Sequence, residues 1–352
     1  MAKKRPPLPG FDDIPISEIV HLGDSEPGFT RKGAGRGFYY VGPDGRRVEE
    51  ARHLERFRVL AVPPAYRDVW LAPQANAHLQ ATGRDERGRK QYRYHPVWQQ
   101  HRNDNKFQHL EAFGERLPAL RRRIARVLGE HDPDVAPTRS LVIATAVRVI
   151  DLTGLRVGND QYTRENATYG LTTLKNRHAE IEGNRIRFDF VAKGGQKSTV
   201  EFTSQKLSDV LAHCEDLPGQ RLFQFQGDDG ELQQVTSEDI NGFLKEAIGA
   251  DWATAKTLRT WRGTVHALDS LADESPAGSE RQRRSQIVEA VKSVAKELRN
   301  RPATCRKFYI HPRILAAFEN GVWPPPAAPA DKPRELLEKE ARLLAFLRGC
   351  SY

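Results

Sequence analysis

The sequence is poor in cysteine, and the few cysteines that it has are widely separated. Cys214, Cys305 and Cys350 form no Cys-x-x-Cys pair and no cysteine–histidine cluster. An odd number of dispersed cysteines argues against a disulfide framework and against a structural zinc ion. No apolar run approaches the roughly 20 residues that a membrane helix needs, and residues 1–7 contain no hydrophobic signal core. We therefore expect a cytoplasmic protein with no membrane partner.

Motifs for metal-dependent or nucleotide-dependent chemistry are also missing. The sequence has no His-Glu-x-x-His, no clustered carboxylates and no Gly-x-Gly-x-x-Gly after a predicted strand. Residues 194–199, Gly-Gly-Gln-Lys-Ser-Thr, superficially resemble a phosphate-binding loop. That loop requires glycine immediately before its Lys-Ser, and Gln196 occupies this position. We therefore expect no metal ion, no nucleotide and no other cofactor.

What the sequence does contain is an excess of positive charge. Lysine and arginine number 55 against 46 aspartates and glutamates, which gives a formal net charge of +9. Such an excess favours a polyanionic partner. The alternative is a generally basic protein from an arginine-favouring genome, and the charge alone leaves both interpretations open.

The first part of the chain has the character of a β-rich domain. Short β-prone runs alternate with turns up to about residue 100, and residues 35–48 place two such runs around a Pro-Asp-Gly turn, which predicts a hairpin. Polar sequence over residues 101–106 then gives way to helical patterns. We predict a small β-rich domain over residues 1–104.

The middle of the chain has the character of a larger, mainly α domain, predicted over residues 105–323. Residues 139–152 are apolar on most faces, as in a buried helix, and residues 285–299 carry apolar side chains at helical spacing. Between them, residues 180–202 contain two turn signals between alternating runs. This pattern predicts a three-stranded antiparallel insert with Lys193 at its second turn.

The last part of the chain, residues 324–352, is predicted to be a separate segment. It starts with Pro-Pro-Pro-Ala-Ala-Pro-Ala, typical of a semi-rigid linker, and continues as an amphipathic helix over residues 334–348. The predicted fold class is therefore α+β with two domains and a terminal linker and helix.

Residues 300–312 place one tyrosine behind two basic residues, just beyond the end of a predicted helix. The hydroxyl of Tyr309, beside Arg306 and Lys307, could attack a phosphodiester. Because the pKa of a phenol is about 10, it reacts with phosphate only where cations and a proton acceptor surround it. The rest of the chain must supply these cations.

Three basic residues are candidates for that role, and each has a structural alternative. Arg156 follows the predicted buried helix in a glycine-containing turn, where an ion pair with Asp151 or Asp160 is the alternative. Arg259 lies on a predicted helix, where a solvated basic face is the alternative. Lys193 lies beside two glycines at a turn and could protonate an alkoxide leaving group, whereas most turn lysines are solvated hairpin tips.

Exposed aromatic residues beside cations are typical of nucleic-acid binding, and residues 83–98 contain both. If residues 91–94 form a strand, Tyr92 and Tyr94 share one face, and Gln91 lies on the other. The tyrosines could stack on bases, or they could pack in a core.

Two further roles in this segment follow from residue type. Gln91 suits the reading of adenine, whereas Arg89 and Lys90 suit the holding of phosphates.

Five motifs follow one another along the second part of the chain: Leu-Arg-Val-Gly-Asn at 155–159, Tyr-Gly-Leu-Thr-Thr-Leu at 169–174, Ala-Lys-Gly-Gly at 192–195, Lys-Thr-Leu-Arg-Thr at 256–260 and Arg-Lys-Phe-Tyr at 306–309. Taken in this order, they resemble the catalytic domain of type IB DNA topoisomerases, most closely the smaller poxvirus-like and bacterial branch. The resemblance covers roughly residues 15–320, and the segment 88–95 resembles the amino-terminal DNA-binding domain of that branch.

The resemblance implies a role for each matched position. Tyr309 matches the nucleophile, Arg156 and Arg259 the phosphate-clamping arginines, and Lys193 the general acid. Asn300 stands where the family usually has a histidine, so we expect a hydrogen bond without a charge and little pH dependence from this position.

The resemblance also implies the reaction and the partner. Tyrosine would join the 3′ phosphate of one strand of duplex DNA and release a 5′ hydroxyl, so the broken end can swivel and be resealed without ATP. A monomer closing around DNA as a clamp, in the cytoplasm with the nucleoid, is expected. Asn159, at the end of the first motif, joins the predicted DNA-contacting residues.

Two other functions stay open at the level of sequence. A tyrosine recombinase shares this chemistry, but usually carries histidine three residues before the second arginine, where this chain has Lys256. An architectural DNA-binding protein that kept the fold and lost activity is the alternative from another class.

Overall fold

A computed structural model describes residues 14–35, 37–86, 88–132, 134–227 and 229–349. The chain divides into two compact units, the first ending at Lys106 and the second beginning at Phe107. Antiparallel strands dominate the first unit and helices the second, which confirms the α+β fold class. None of the helices in the described ranges has the length and apolar character needed to span a bilayer.

The first unit is built on a five-stranded antiparallel sheet with the order β2-β1-β3-β4-β5. Its strands are β1 (Phe29–Ala34), β2 (Gly37–Val41), β3 (Arg67–Leu71), β4 (Leu79–Arg84) and β5 (Lys90–Tyr94), and its helices are α1 (Ala51–Leu60) and α2 (Pro96–Gln108). The predicted β-rich character is confirmed. The sheet leaves β2 and β5 as its two edge strands.

Helix α1 was not among the predicted elements. Its apolar residues Leu54, Phe57 and Leu60 recur at helical spacing, although only Arg56 and Phe57 of its ten residues are buried. Phe57 packs on Phe29, Val69 and Leu71 of the sheet. This packing on the sheet stabilises the helix.

The hairpin predicted for residues 35–48 is present in a reduced form. Gly45 takes the left-handed conformation at φ 78° in the Pro-Asp-Gly turn. The second arm amounts to a single bridge between Val41 and Arg47, with the N–H of Val48 donating to the carbonyl of Tyr40 at 2.9 Å. The longer pairing of β2 is with β1, which precedes it in the chain.

The second unit is mainly helical. Its helices are α3 (Leu110–Gly129), α4 (Arg139–Thr153), α5 (Asp160–Asn166), α6 (Gln205–Asp216), α7 (Ser237–Ile248), α8 (Ala255–Ala272), α9 (Glu280–Glu297), α10 (Pro302–Phe308), α11 (Pro312–Glu319) and α12 (Glu338–Gly349). Its strands are β6 (Ala179–Glu182), β7 (Arg185–Ala192), β8 (Gln196–Thr203), β9 (Gln224–Gln226) and β10 (Leu232–Gln234).

Helix α4 is the buried helix that the sequence predicts. It begins at a Thr138 cap, whose hydroxyl accepts from the N–H of Leu141 at 3.3 Å, and ends at Gly154 in the left-handed conformation. Helices α3 and α8 approach closely beside it because Gly114 has no side chain. A Cβ atom there would lie 2.3 Å from the ring of Trp261. Large and small residues thus interdigitate in this core.

The three-stranded antiparallel insert is confirmed, with the order β6-β7-β8. Alternate side chains of β7, from Ile186 to Ala192, point into the core, which is the two-residue period of a half-buried strand. Lys193, Gly194 and Gly195 form the turn between β7 and β8, and the pair Ala192–Gln196 closes it.

The terminal helix α12 belongs to the second unit instead of forming a separate segment. It begins at Glu338, four residues later than predicted. Arg121 on α3 donates to Glu340 on α12 at 2.7 and 2.8 Å and to Asp151 on α4 at 2.9 and 3.0 Å. These ion pairs join three helices in a place where their side chains are almost fully buried.

The charges of this buried cluster stabilise one another. Burial alone would raise the pKa of Asp151, but the charge and hydrogen bonds of Arg121, followed by those of Arg148, hold it below its ordinary value of 3.8. The same carboxylates raise the pKa of the Arg121 guanidinium against the opposing effect of its burial. Asp151 is therefore ionised at neutral pH.

Replacing Glu340 by alanine is expected to destabilise the protein by about 3 kcal/mol, because it removes one partner from a buried ion-pair network. The free energy of unfolding in urea is the measurement. The matched control is Glu338→Ala on the same helix, where an exposed carboxylate lies 3.8 Å from Arg342 and should contribute less than about 1 kcal/mol. Equal effects of the two substitutions would contradict a structural role for the buried cluster.

Candidate active site

Tyr309 directly follows Phe308, the last residue of α10, and its side chain is half-buried. Its N–H donates to the carbonyl of Cys305 at 2.9 Å, which closes the last turn of the helix. Helix α10 was not among the predicted elements, although Tyr309 was expected just after a helix. The signal for it was Pro302, since proline is common at the first position of a helix.

Helix α8 holds the backbone that carries Tyr309. A Cβ atom on Gly263 would lie 2.6 Å from the Tyr309 carbonyl oxygen, so only glycine permits this approach. The hydroxyl of Thr264 donates to the same carbonyl at 3.3 Å and accepts from the N–H of His311 at 3.2 Å. The position of Tyr309 is therefore set by a neighbouring helix as well as by its own.

Arg259 lies one turn before Gly263 on α8, and its side chain is directed at Tyr309. Its guanidinium carbon is 5.3 Å from the centroid of the Tyr309 ring, and one terminal nitrogen donates to the carbonyl of Leu298 at 3.1 Å. The residue is only 4% exposed, so the alternative of a solvated basic face is wrong. Its Nε is buried, and no group within the described ranges accepts a hydrogen bond from it.

The charge of Arg259 survives this burial at neutral pH. Burial lowers its pKa to about 10, and the nearby Arg156 acts in the same direction, whereas Tyr309 opposes both. A guanidinium with a pKa near 10 is still positively charged at pH 7. The site thus contains a buried cation with an unused donor.

Arg156 is held by the loop that follows α4. The N–H of Leu171 donates to the Arg156 carbonyl at 2.8 Å, and Gly158 and Gly170 pack so closely that a Cβ on Gly170 would lie 2.6 Å from the Gly158 backbone. The side chain of Arg156 donates to the carbonyl of Arg299 at 3.2 Å. The loop and the far end of α9 together fix this arginine.

The ion-pair alternatives for Arg156 are wrong. Asp151 is bound by Arg121 and Arg148, and Asp160 is bound by Arg221.

A small cavity brings the two arginines together with the three-stranded sheet. Its walls include Arg156, Arg259, Ala192 and Ser198. Lys193 directly follows Ala192 at the exposed tip of the β7–β8 turn, so it lies one residue beyond the cavity wall. The structure thus brings Arg259 and Tyr309 into direct contact, places Arg156 in the same cavity wall as Arg259, and places Lys193 one residue from that wall.

Ser198 is a cavity residue that the sequence analysis did not single out. Its hydroxyl is buried and has no hydrogen-bond partner in the part of the chain that the structure describes. Alternation along β8 is the signal that would have placed it inward, because Ser198 and Val200 are the buried positions of that strand.

Asn300 lies in the turn that ends α9, next to the carbonyl that receives Arg156. Its N–H donates to the carbonyl of Ala295 at 2.8 Å, and its side-chain oxygen accepts from the N–H of Arg301 at 2.9 Å. The side-chain amide is half-buried. The structure therefore places Asn300 within the same turn as the arginine-binding carbonyls.

In the first unit, the predicted tyrosine pair lies on edge strand β5. The rings of Tyr92 and Tyr94 are stacked with centroids 6.1 Å apart, and Tyr92 is 45% exposed, which excludes burial of that ring in the core. Tyr94 packs partly on Leu79 and Trp70. One ring is thus available at the surface, supported by the other.

The polar residues beside this pair have protein partners. Arg89 and Gln91 both donate to Asp85, at 2.8 and 3.0 Å, and Lys90 lies 2.5 Å from Asp24. To bind a phosphate or a base, these side chains would have to leave Asp85 and Asp24 and bond to DNA instead.

Asn159 lies elsewhere, in the second unit. It is exposed just before α5, and its carbonyl accepts from the N–H of Thr163 at 3.1 Å.

Comparison with known proteins identifies the family of this chain. The family described as "Eukaryotic DNA topoisomerase I, catalytic core" matches residues 95–320, more than half of the chain, and "Bacterial DNA topoisomerase IB, N-terminal domain" matches residues 37–85. The chain therefore belongs to the DNA topoisomerase I family of type IB enzymes, and it is a DNA topoisomerase. The resemblance read from its motifs is confirmed.

Individual relatives agree with this assignment. DNA topoisomerase 1B of Acanthamoeba polyphaga mimivirus is 29% identical over 300 residues, which are 83% of this chain and 88% of the viral protein. DNA topoisomerase 1B of vaccinia virus is 28% identical over 47% of this chain and 50% of its own length. DNA topoisomerase 1 alpha of Arabidopsis thaliana is 29% identical over 44% of this chain and 16% of its own length.

Replacing Gly263 by alanine is expected to displace Tyr309, because the new methyl group would overlap its carbonyl. We expect a loss of about 1–3 kcal/mol in the free energy of unfolding and at least a tenfold slower relaxation of supercoiled plasmid. Gly242→Ala on α7 is the control, since no atom of the described residues lies within 4 Å of a Cβ atom there. Relaxation at the unmodified rate in Gly263→Ala would show that the close approach is not needed.

His311, two residues after Tyr309, is expected to make the protein less stable in mild acid. Burial lowers its pKa to about 4 from an ordinary value of 6.5, and Arg313 acts in the same direction. The unfolded chain therefore binds a proton first, so the stability that neutral His311 provides is present above pH 6.5 and is lost between pH 6.5 and about 4. The free energy of unfolding that is lost through this group between pH 7 and pH 5 is roughly 2 kcal/mol.

The comparison that isolates this effect is His311→Asn, measured by urea unfolding at pH 7 and pH 5. Asparagine keeps an acceptor for the N–H of Arg313 at the start of α11 but does not titrate. Its stability should fall less between the two pH values than that of the unmodified protein. The same fall in both proteins would assign the acid sensitivity to other groups.

Proposed function

We propose that this enzyme relaxes supercoiled duplex DNA by cutting and resealing one strand, with Tyr309 as the nucleophile. The phenolic oxygen releases its proton to solvent, attacks a backbone phosphorus and forms a bond to the 3′ phosphate, while the bond from phosphorus to the 5′ oxygen breaks. The observation that carries this proposal is the contact between the Tyr309 ring and the buried guanidinium of Arg259. A phenol beside a fixed cation is the arrangement that attack on phosphate needs.

Arg156 and Arg259 are proposed to hold the non-bridging oxygens of the scissile phosphate. Both are bound to main-chain carbonyls, which orient a guanidinium without neutralising its charge. Within the described part of the chain, the N–H at the buried Nε of Arg259 is free to donate a hydrogen bond to a phosphate oxygen. Charge that develops on the phosphate in the transition state would meet donors that are already in place, so little reorganisation is required.

Lys193 is proposed as the general acid that protonates the departing 5′ oxygen. It is exposed at a turn whose glycines, Gly194 and Gly195, have φ values of 89° and 77°. Such a turn can carry a side chain into a bound duplex, and the preceding residue already lines the cavity of the two arginines. Proton donation by lysine at this point avoids the release of an unstable alkoxide.

Asn300 is proposed to donate an uncharged hydrogen bond to the same phosphate through its side-chain amide. Its turn adjoins the carbonyl that binds Arg156, which supports this assignment. Because an amide does not titrate near neutral pH, this bond should vary little with pH.

The proposed reaction needs no energy source, because one phosphodiester replaces another. The bond between tyrosine and the 3′ phosphate conserves the free energy of the broken phosphodiester. After the free end has swivelled, the 5′ hydroxyl attacks this bond and reseals the strand. We further propose a monomer that closes on duplex DNA in a bacterial cytoplasm, with Tyr92 stacking at the first unit and Asn159 contacting DNA at the second. The match of residues 37–85 to a bacterial amino-terminal domain supports the bacterial setting.

Tyr309→Phe is expected to abolish both plasmid relaxation and the covalent adduct with DNA, while DNA binding stays within about threefold. Removing one oxygen deletes the nucleophile and leaves the ring contact with Arg259 in place. The measurements are relaxation without added metal or ATP, and mass spectrometry of the trapped adduct. Tyr39→Phe, in strand β2 of the first unit, is the matched control and should remain active.

The same experiment separates the alternatives. Equal relaxation by Tyr309→Phe and unmodified protein would reject Tyr309 as the nucleophile. Binding by unmodified protein without any adduct would indicate an architectural DNA-binding protein. Joining of two DNA sites in a parallel assay, in preference to relaxation, would indicate a recombinase.

A further inference from the structure

Helix α9 ends in a turn where an arginine occupies the place that usually belongs to glycine. Arg299 has φ 50°, in the left-handed region. The N–H of Arg299 donates to the carbonyl of Lys296 at 3.2 Å, and the N–H of Asn300 donates to the carbonyl of Ala295 at 2.8 Å. These two bonds define a helix-ending motif in which glycine is favoured, because a Cβ atom makes this conformation unfavourable.

The side chain of Arg299 explains why an arginine is found there. One terminal nitrogen donates to the carbonyl of Thr153 at 3.1 Å and to that of Glu297 at 3.2 Å. Thr153 is the last residue of α4, so Arg299 ties the end of α9 to the end of α4. Leu298 packs at the same junction, where a Cβ atom on Gly154 would lie 3.2 Å from it.

The main chain of this turn binds both arginines of the site. The carbonyl of Leu298 accepts from Arg259 at 3.1 Å, and the carbonyl of Arg299 accepts from Arg156 at 3.2 Å. These carbonyls lie at the carboxyl end of a helix, where main-chain acceptors lack partners within the helix. The direction of each guanidinium therefore depends on the path of two residues, 298 and 299.

The charges around the turn also favour a fixed arginine at this position. Arg262 on α8 binds Glu297 at 2.8 Å, so a carboxylate stands beside the added cation. Burial lowers the pKa of Arg299, Glu297 opposes this, and Arg262 and Arg156 act with the burial. A third cation is thus tolerated close to Arg156 and Arg259.

We propose that Arg299 is a positioning residue, which holds the turn at residues 298–300 so that its two carbonyls aim Arg156 and Arg259 at the scissile phosphate. The inference rests on the roles proposed above for Arg156 and Arg259. Glycine would adopt the same backbone conformation more easily, but it would not tie the turn to Thr153. Arginine therefore makes the left-handed conformation of this residue less favourable than glycine would, but its side chain fixes the turn against α4.

The test is Arg299→Gly, with the rate of DNA cleavage measured in a single turnover at saturating protein. We expect the rate to fall at least tenfold, while DNA affinity stays within about threefold and the melting temperature does not fall. A purely structural role predicts an active variant, since glycine suits the conformation. Arg299→Lys, which keeps a donor at the end of a long side chain, should recover part of the lost rate.

Arg301→Gly is the matched control for loss of a cation, because Arg301 is exposed two residues away at the start of α10, where glycine is tolerated. Its cleavage rate should stay within about threefold of the unmodified rate. Cleavage by Arg299→Gly at the unmodified rate, or an equal loss in Arg301→Gly, would overturn the inference. The Tyr309 adduct of the unmodified protein is scored in the same assay, so such a result would leave the proposed function standing.

Discussion

The constraint on which this site depends is the binding of two guanidinium groups by the carbonyls of one helix-ending turn. Arg156 and Arg259 come from elements about 100 residues apart, yet they donate to neighbouring residues, Arg299 and Leu298. Carbonyl acceptors orient a cation without cancelling its charge. Nearby carboxylates are bound to other arginines, as Asp151 is to Arg121, so positive charge remains for an anionic ligand.

Close contacts of the backbone keep this arrangement rigid. Gly263 allows α8 to touch the carbonyl of Tyr309, and the Gly158–Gly170 contact supports the loop of Arg156. The buried cluster of Arg121, Asp151 and Glu340 then fastens α12 across α3 and α4. Exchanging one phosphodiester for another needs no outside energy source, but it still has an activation barrier. Preorganised cations lower that barrier because they need little rearrangement in the transition state.

Much of the fold could be predicted because strong local patterns coincide with the final structure. The apolar residues of α4, the alternation in β7 and the glycines around Lys193 each point to one structure. Helix α1 was missed although Leu54, Phe57 and Leu60 recur at helical spacing, and α10 was missed because it is short and buries only Cys305. The terminal helix α12 was recognised, but its attachment through Glu340 depends on Arg121, more than 200 residues earlier.

The sequence by itself determined the order and chemical identity of the groups proposed to react: a tyrosine, two arginines, a lysine at a glycine turn, and an asparagine in place of histidine. It could not determine whether Arg259 is solvated or whether Arg156 pairs with Asp151. Only the tertiary structure decided that Arg259 is buried against Tyr309 and that Arg156 reaches the carbonyl of Arg299. The physical reason is that burial and choice of partner depend on contacts between distant segments, whereas a local pattern reports only on its own helix or strand.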